Sequence, residues 1–278
     1  MKLNCSGKIL DLSQSQVMGI LNVTPDSFSD GGSFNRFDDA VKQATQMAAD
    51  GAAIIDIGGE STRPDAATVS IDEELHRVIP VIEALVKEID VPISIDTSKP
   101  EVMTAAVEAG AGMINDVNGL QAPGALEQAA VLNVPLCLMH MQGEPRTMQQ
   151  APTYDDVVEE VYAFLEQRIE ACTAAGVARE NIIVDPGFGF GKTLAHNLEL
   201  LNRLARFRDL GVPVLAGISR KSMIGKITER DVGERLAGSL AAATLATWLG
   251  ASIIRVHDVK ETVDAVAIAM ATREYKNY

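Results

Sequence analysis

Eight times along this chain a short apolar run closes on a polar residue or a glycine turn, and a helix-length stretch follows. The runs occupy 17–21, 52–57, 91–95, 112–114, 134–139, 182–184, 212–216 and 252–256. Each is too brief for a free-standing helix and too continuously apolar for a strand with one wet face, so each reads as a strand buried on both sides. Parallel strands of that kind need helical crossovers. The pattern places helices at about 38–50, 70–89, 100–109, 124–132, 154–175, 194–210, 233–249 and 260–273. Ser70 and Glu73 have capping-box spacing, and Pro92 stands at a strand start, where a missing N–H is tolerated.

Eight strand–helix units with right-handed crossovers close into an α/β fold, the (β/α)8 or TIM barrel. The chain is expected to be a single domain over 1–278, with a small hairpin from residues 3–12 closing one end. An open doubly wound sheet is the alternative. The barrel is preferred because the polar strand endings (Asn22, Asp56, Asp96, Asn115, His140, Asp185, Ser219 and His257) then meet at one mouth, whereas an open sheet disperses most of them.

An apolar share of 47% is ample for a large core, and 24 basic against 38 acidic residues leave a net charge of −14. That balance argues against nucleic acid or an anionic membrane as the main partner. Three scattered cysteines, Cys5, Cys137 and Cys172, form no CxxC and read as reduced thiols. The first residues have no apolar core of a signal peptide, and the longest uncharged run, 236–254, is broken by Ser, Thr and Gly. The expectation is a cytoplasmic protein that binds small molecules.

The strand endings carry the chemistry. Asp56, Asp96, Asn115 and Asp185 each follow apolar residues, and four such groups cannot be buried unpaired. Singly, each could cap the next helix; together they suit a flat ligand rich in N–H donors. The cations Arg63, Arg220, Lys221 and Arg255 stand near His257 in that scheme. Arg255 lies inside an apolar strand, where it must face a ligand phosphate or pair with Asp56 or Asp96. The run 185–193, DPGFGFGKT, ends like a phosphate-binding loop but has Pro186 in place of the first glycine. Close backbone approach to a planar ligand, with Phe190 packed on it, fits better. The four histidines form no zinc pattern, and His140 reads as a core residue rather than a ligand contact. Asn22, Thr24 and Asp26 either form a turn or hold Mg2+ beside phosphate oxygens brought by a ligand. The stretch 236–249 is uncharged and alanine-rich, so its helix is buried either against a second subunit or by crowding within one chain.

Taken together, MGILNVTPDSFSDGG, GAAIIDIGGESTRP, ISIDTSKP, INDVNGL, LMHMQG, DPGFGFGKT, GISRKSMIG and IIRVHDV resemble the dihydropteroate synthase family across almost the whole chain. Asp65 departs from the family, which usually has glycine after the proline. The resemblance implies condensation of p-aminobenzoate with a 6-hydroxymethyl-7,8-dihydropterin diphosphate in a sulfonamide-targeted, Mg2+-dependent homodimer. It places the pterin on Asp96, Asn115, Met139, Asp185, Phe190, Lys221 and Arg255, and the diphosphate on Asn22, Arg63, Arg255 and His257, with Mg2+ near Asn22. It places p-aminobenzoate on Phe28, Thr62, Pro64, Phe190, Ser219 and Lys221. Arg63, Lys221, Arg255 and His257 would be catalytic. The reaction then needs charge stabilisation on a leaving oxygen more than a base, which favours a dissociative displacement. Competing readings are a methyltetrahydrofolate-dependent methyltransferase, a non-catalytic pterin-binding protein and a phosphate-site isomerase.

Overall fold

The computed structural model describes residues 1–24, 33–61, 68–144 and 147–275, and the side chains of 33–36 lie outside that description. Strands β1 (Lys2–Cys5) and β2 (Lys8–Asp11) form the antiparallel hairpin expected at the N-terminus. Eight parallel strands follow: β3 (Gln16–Asn22), β4 (Ile54–Gly58), β5 (Ile93–Asp96), β6 (Met113–Asp116), β7 (Leu136–Met139), β8 (Ile182–Asp185), β9 (Leu215–Ala216) and β10 (Ile253–Val256). Their order is β8-β7-β6-β5-β4-β3-β10-β9. A parallel bridge between Val184 and Val214 joins the two ends, so the sheet closes into the expected barrel.

Side chains alternate along each strand, and the two faces have different partners. Met18, Ile54, Met113, Cys137, Ile183, Leu215 and Ile253 point inward and pack with Leu3, Cys5, Leu10 and Leu12 of the hairpin. The hairpin is therefore an apolar plug under the barrel floor. Their neighbours Val17, Ile55, Ile57, Ile93, Ile95, Ile114, Leu136 and Leu138 point outward into the helix layer. Above the floor the inward positions turn polar, through Asp56, Ser94, Asp96, Asn115 and Asp185. That one change in composition makes the upper barrel a polar mouth instead of an apolar core.

The helices are α1 (Ser33–Ala49), α2 (Ile71–Glu88), α3 (Pro100–Glu108), α4 (Ala125–Leu132), α5 (Val157–Ala174), α6 (Leu194–Asn202), α7 (Ser222–Thr228), α8 (Leu236–Trp248) and α9 (Val259–Arg273). Ser70 caps α2 by accepting from Glu73 N at 3.2 Å. Two expectations need correction. The helix read over 194–210 stops at Arg203, and Leu204–Leu210 winds as a 3-10 helix. Leu204, Phe207 and Leu210 are all buried there; spacing by three eclipses side chains in a 3-10 helix and puts all three on the barrel side. Helix α7 was not anticipated. Only Met223 and Ile224 of its seven residues are buried, too few to print a period on the sequence. No helix among the described residues is long and apolar enough to cross a membrane.

Candidate active site

The C-terminal ends of the barrel strands bring the polar residues together. Arg255, on β10, reaches across the mouth. Its Nε donates to Asp56 Oδ2 at 2.6 Å and its Nη2 to Asp96 Oδ2 at 2.7 Å. Asn115 on β6 donates from Nδ2 to the same Asp56 oxygen at 3.0 Å. The ion-pair alternative for Arg255 is thus what the structure shows, with both candidate carboxylates engaged at once. Burial opposes the charge on Arg255, but Asp56 and then Asp96 outweigh it and hold its pKa above the ordinary value. Asp96 is pushed up to about 7, first by burial, with Arg255 pulling the other way and Asp56 adding to the rise.

Asp185 closes β8 on the same rim. Its Oδ1 accepts from Gly187 N at 2.7 Å, and burial raises its pKa. Gly217 sits between it and Arg255: a Cβ there would lie 3.8 Å from Asp185 Oδ2 and 4.0 Å from Arg255 Cβ. A side chain at 217 would fill the space between these two groups. Gly58 is the counterpart across the mouth, 3.8 Å by the same measure from both Asn22 Oδ1 and Asp96 Oδ2. Lys221 stacks its Nζ 4.2 Å from the centroid of the Phe190 ring, a cation–π contact. Burial first, and Arg255 second, lower its pKa to about 8. Met139 packs with Phe190 and Met148 in a small apolar cluster beside them.

His257 and Ser219 form a pair. His257 N donates to Ser219 Oγ at 3.2 Å, and Ser219 Oγ stands 3.1 Å from His257 Nδ1. Burial, helped by Arg220 and Arg255, lowers the imidazole pKa to about 4, so the ring is neutral at pH 7. Arg220 is engaged by Asp258, donating through Nε at 3.0 Å and through Nη2. Among the four cations named from sequence, Lys221 and Arg255 therefore meet at the mouth and Arg220 does not. Arg63, with Phe28, Thr62 and Pro64, lies outside the described residues, as do Asp26 and Asp65.

Two residues matter more than the sequence pattern implied. Asp56 is fully buried and takes the central position, joined to both Arg255 and Asn115. Its place inside an apolar run was the available signal. Lys192 does not face a phosphate. Its Nζ turns inward to Gly187 O and Phe190 O, both at 2.9 Å, and to His140 Nδ1 at 3.0 Å. The phosphate-loop reading of DPGFGFGKT fails on that geometry, and His140 is the buried core histidine expected. Burial, then Lys192, lowers the pKa of His140 to about 3.

A parallel barrel whose rim gathers carboxylates, an amide and cations is an arrangement that fits the pterin binding enzymes, and a family model described as "Pterin binding enzyme" matches residues 18–257. The dihydropteroate synthase of Escherichia coli K12 is 57% identical over 100% of both chains. A Xanthomonas albilineans dihydropteroate synthase solved with 4-aminobenzoic acid superposes with a TM-score of 0.94 at 54% identity, covering 98% of each chain. Another structure of the Xanthomonas albilineans enzyme, with 7,8-dihydropteroate, gives 0.91 at 52% identity over 99% of each. The chain belongs to the dihydropteroate synthase family.

Proposed function

We propose that this barrel joins p-aminobenzoate to 6-hydroxymethyl-7,8-dihydropterin diphosphate, releasing 7,8-dihydropteroate and pyrophosphate. The observation that carries the reading is the cluster of Asp56, Asp96 and Asn115 around Arg255, with Asp185 and Lys221 on the same rim. Relatives named for this activity, one holding 4-aminobenzoic acid and one 7,8-dihydropteroate, support it. Buried carboxylates and an amide carbonyl are acceptors suited to the amino and ring N–H groups of a pterin. Met139 and Phe190 offer a flat apolar wall beside them.

In the proposed reaction the C–O bond breaks first and its electron pair leaves with the diphosphate oxygen. The pterin ring delocalises the positive charge on the CH2 carbon. The amine lone pair then forms the C–N bond, and one amine proton is released. Arg255 and His257 face the departing oxygen, with Arg63 and Asn22 assigned to the same group. Ser219 Oγ already accepts from His257 N, so its hydroxyl proton is free to go to Nδ1. We assign His257 the Nε2–H tautomer on that ground, a neutral donor for the leaving oxygen. Ser219 and Lys221, with Phe28, Thr62, Pro64 and Phe190, are assigned to p-aminobenzoate. A secondary deuterium isotope effect near unity at the CH2 carbon would refute the dissociative order.

Mg2+ fits as a companion of the diphosphate. Among the described residues no group of three or more His, Cys, Asp or Glu is arranged to hold a metal. Asn22 offers one neutral oxygen on the rim, which suits a hard cation that takes most of its ligands from phosphate oxygens and water. Bound there, it would neutralise charge on the diphosphate; chelation should then abolish turnover, and full activity in excess chelator would remove the metal from the scheme. Helix α8 has no charged residue and leaves Leu245 and Trp248 exposed while its other face packs on α9. We read that strip as the interface of a homodimer, each copy a single domain over 1–278. Mixing the chain with both substrates and measuring pyrophosphate tests the whole reading. A methyltransferase or a silent pterin binder would release none.

A further inference from the structure

The glycine-rich turn after β8 is held by a side chain that no ligand role has claimed. Lys192 is 2% exposed, a rare place for an ammonium. Four acceptors lie within reach of its Nζ: Gly187 O, Phe190 O, His140 Nδ1 and, at 3.4 Å, His140 O. Burial lowers its pKa to about 7, with Asp185 pulling the other way. His140 keeps Nδ1 available because its ring is neutral in this setting. The cage is closed from outside as well, since Asn197 Nδ2 donates to Lys192 O at 3.2 Å and Asn197 Oδ1 accepts from Gly189 N at 2.7 Å.

Gly187, Gly189 and Gly191 have φ of +73, +82 and +62, a left-handed alternation held by local contacts. Phe190 N donates to Gly187 O at 3.2 Å and the Tyr154 hydroxyl to Gly191 O at 2.8 Å. Lys192 adds the tie that joins the turn to His140. The turn also lies directly on the chain leaving β7: a Cβ on Gly187 would stand 1.9 Å from His140 O. Both ends of the turn present groups to the pocket. Gly187 N fixes the Asp185 carboxylate, and the Phe190 ring lies against Lys221.

We propose that Lys192 is a positioning residue for the pterin half of the pocket: by clamping the Gly187 and Phe190 carbonyls to His140 it sets the spacing between the Asp185 carboxylate and the Phe190 ring. The assignment rests on the pterin reading above and deepens it. Lys192 touches no substrate; it acts through the two groups at the ends of the turn. The diphosphate side of the rim, built on Arg255 and His257 from β10, does not depend on the clamp.

The test is calorimetry with two probes, 6-hydroxymethylpterin and inorganic pyrophosphate. Lys192→Met keeps the unbranched stem, one atom shorter, and removes the donors. It is expected to lose about tenfold or more in pterin affinity, the scale of a misplaced orienting group, while pyrophosphate affinity stays within about twofold. Unchanged pterin affinity overturns the proposal, and so does equal loss of both ligands, which is general damage to the mouth. A second pair covers the case in which Lys192→Met does not fold. His140→Asn places an amide oxygen near the Nδ1 position and should retain pterin binding; His140→Leu removes the acceptor and should lose it. Equal pterin affinity in that pair overturns the proposal. A wild-type chain that binds pyrophosphate but no pterin refutes the functional reading and this assignment with it. Normal wild-type pterin binding with an indifferent Lys192→Met refutes the assignment alone.

Discussion

Asp56→Asn removes one charge from the centre of the pocket and almost no volume. In the wild type, Asp56 Oδ2 receives both Arg255 Nε at 2.6 Å and Asn115 Nδ2 at 3.0 Å, while Oδ1 makes no hydrogen bond within the described residues. Removing one partner of a buried pair costs about 3–5 kcal/mol, because the other charge is stranded. Here Arg255 retains Asp96 at 2.7 Å. Loss of Asp56 also removes one of the charges that raise the pKa of Asp96, so Asp96 ionises more readily and takes over part of the pairing. The lower end of the range, about 3 kcal/mol, is therefore expected. In a chain of this size that lowers the melting temperature by about 6 °C, read by circular dichroism at neutral pH. Arg255 also loses the carboxylate that aims its guanidinium, and kcat/KM by pyrophosphate release should fall about 100-fold. A melting temperature within about 2 °C of wild type, less than a 1 kcal/mol change, would refute the account of Asp56 as the anchor of Arg255.

Other outcomes follow from single contacts. The folded pKa of His140 is about 3 against an ordinary value of 6.5, so between those values the unfolded chain binds a proton that the folded chain does not. That contribution to stability is present above 6.5 and is lost as the pH falls towards 3. Between pH 6.5 and about 5 wild type should lose about 1.5 kcal/mol more than His140→Asn in urea titrations, and equal losses would refute it. Ser219→Ala removes both the acceptor of His257 N and the partner of Nδ1. It should raise the KM for p-aminobenzoate and also lower kcat; an unchanged KM would remove Ser219 from that pocket. Leu245→Asp places a charge on the exposed strip of α8 and should convert a dimer to a monomer in sedimentation. A dimer that survives it would move the interface elsewhere.

Much of this architecture is written locally. The eight apolar runs with polar endings are found where expected because strand burial and turn chemistry depend on neighbours in sequence. The hairpin, the Ser70 cap and the uncharged α8 are local in the same sense. Helix α7 and the 3-10 turn at Leu204–Leu210 were missed because short segments carry no sustained period, and packing on the barrel decides their winding. The candidate site divides the same way. Residue types at the strand tips announced a polar mouth, yet nothing near residue 192 tells whether its ammonium turns out to a phosphate or in to Gly187 and Phe190. Nor does the sequence around Arg255 choose between a ligand and a carboxylate.

The sequence by itself determined that polar groups end buried strands and that those strands are parallel. Only closure of the barrel decided which of the groups touch. Arg255 and Asp56 are 199 residues apart and meet at 2.6 Å because β10, β3 and β4 are neighbours in one closed sheet. Distance along the chain carries no record of that adjacency; strand order and register supply it.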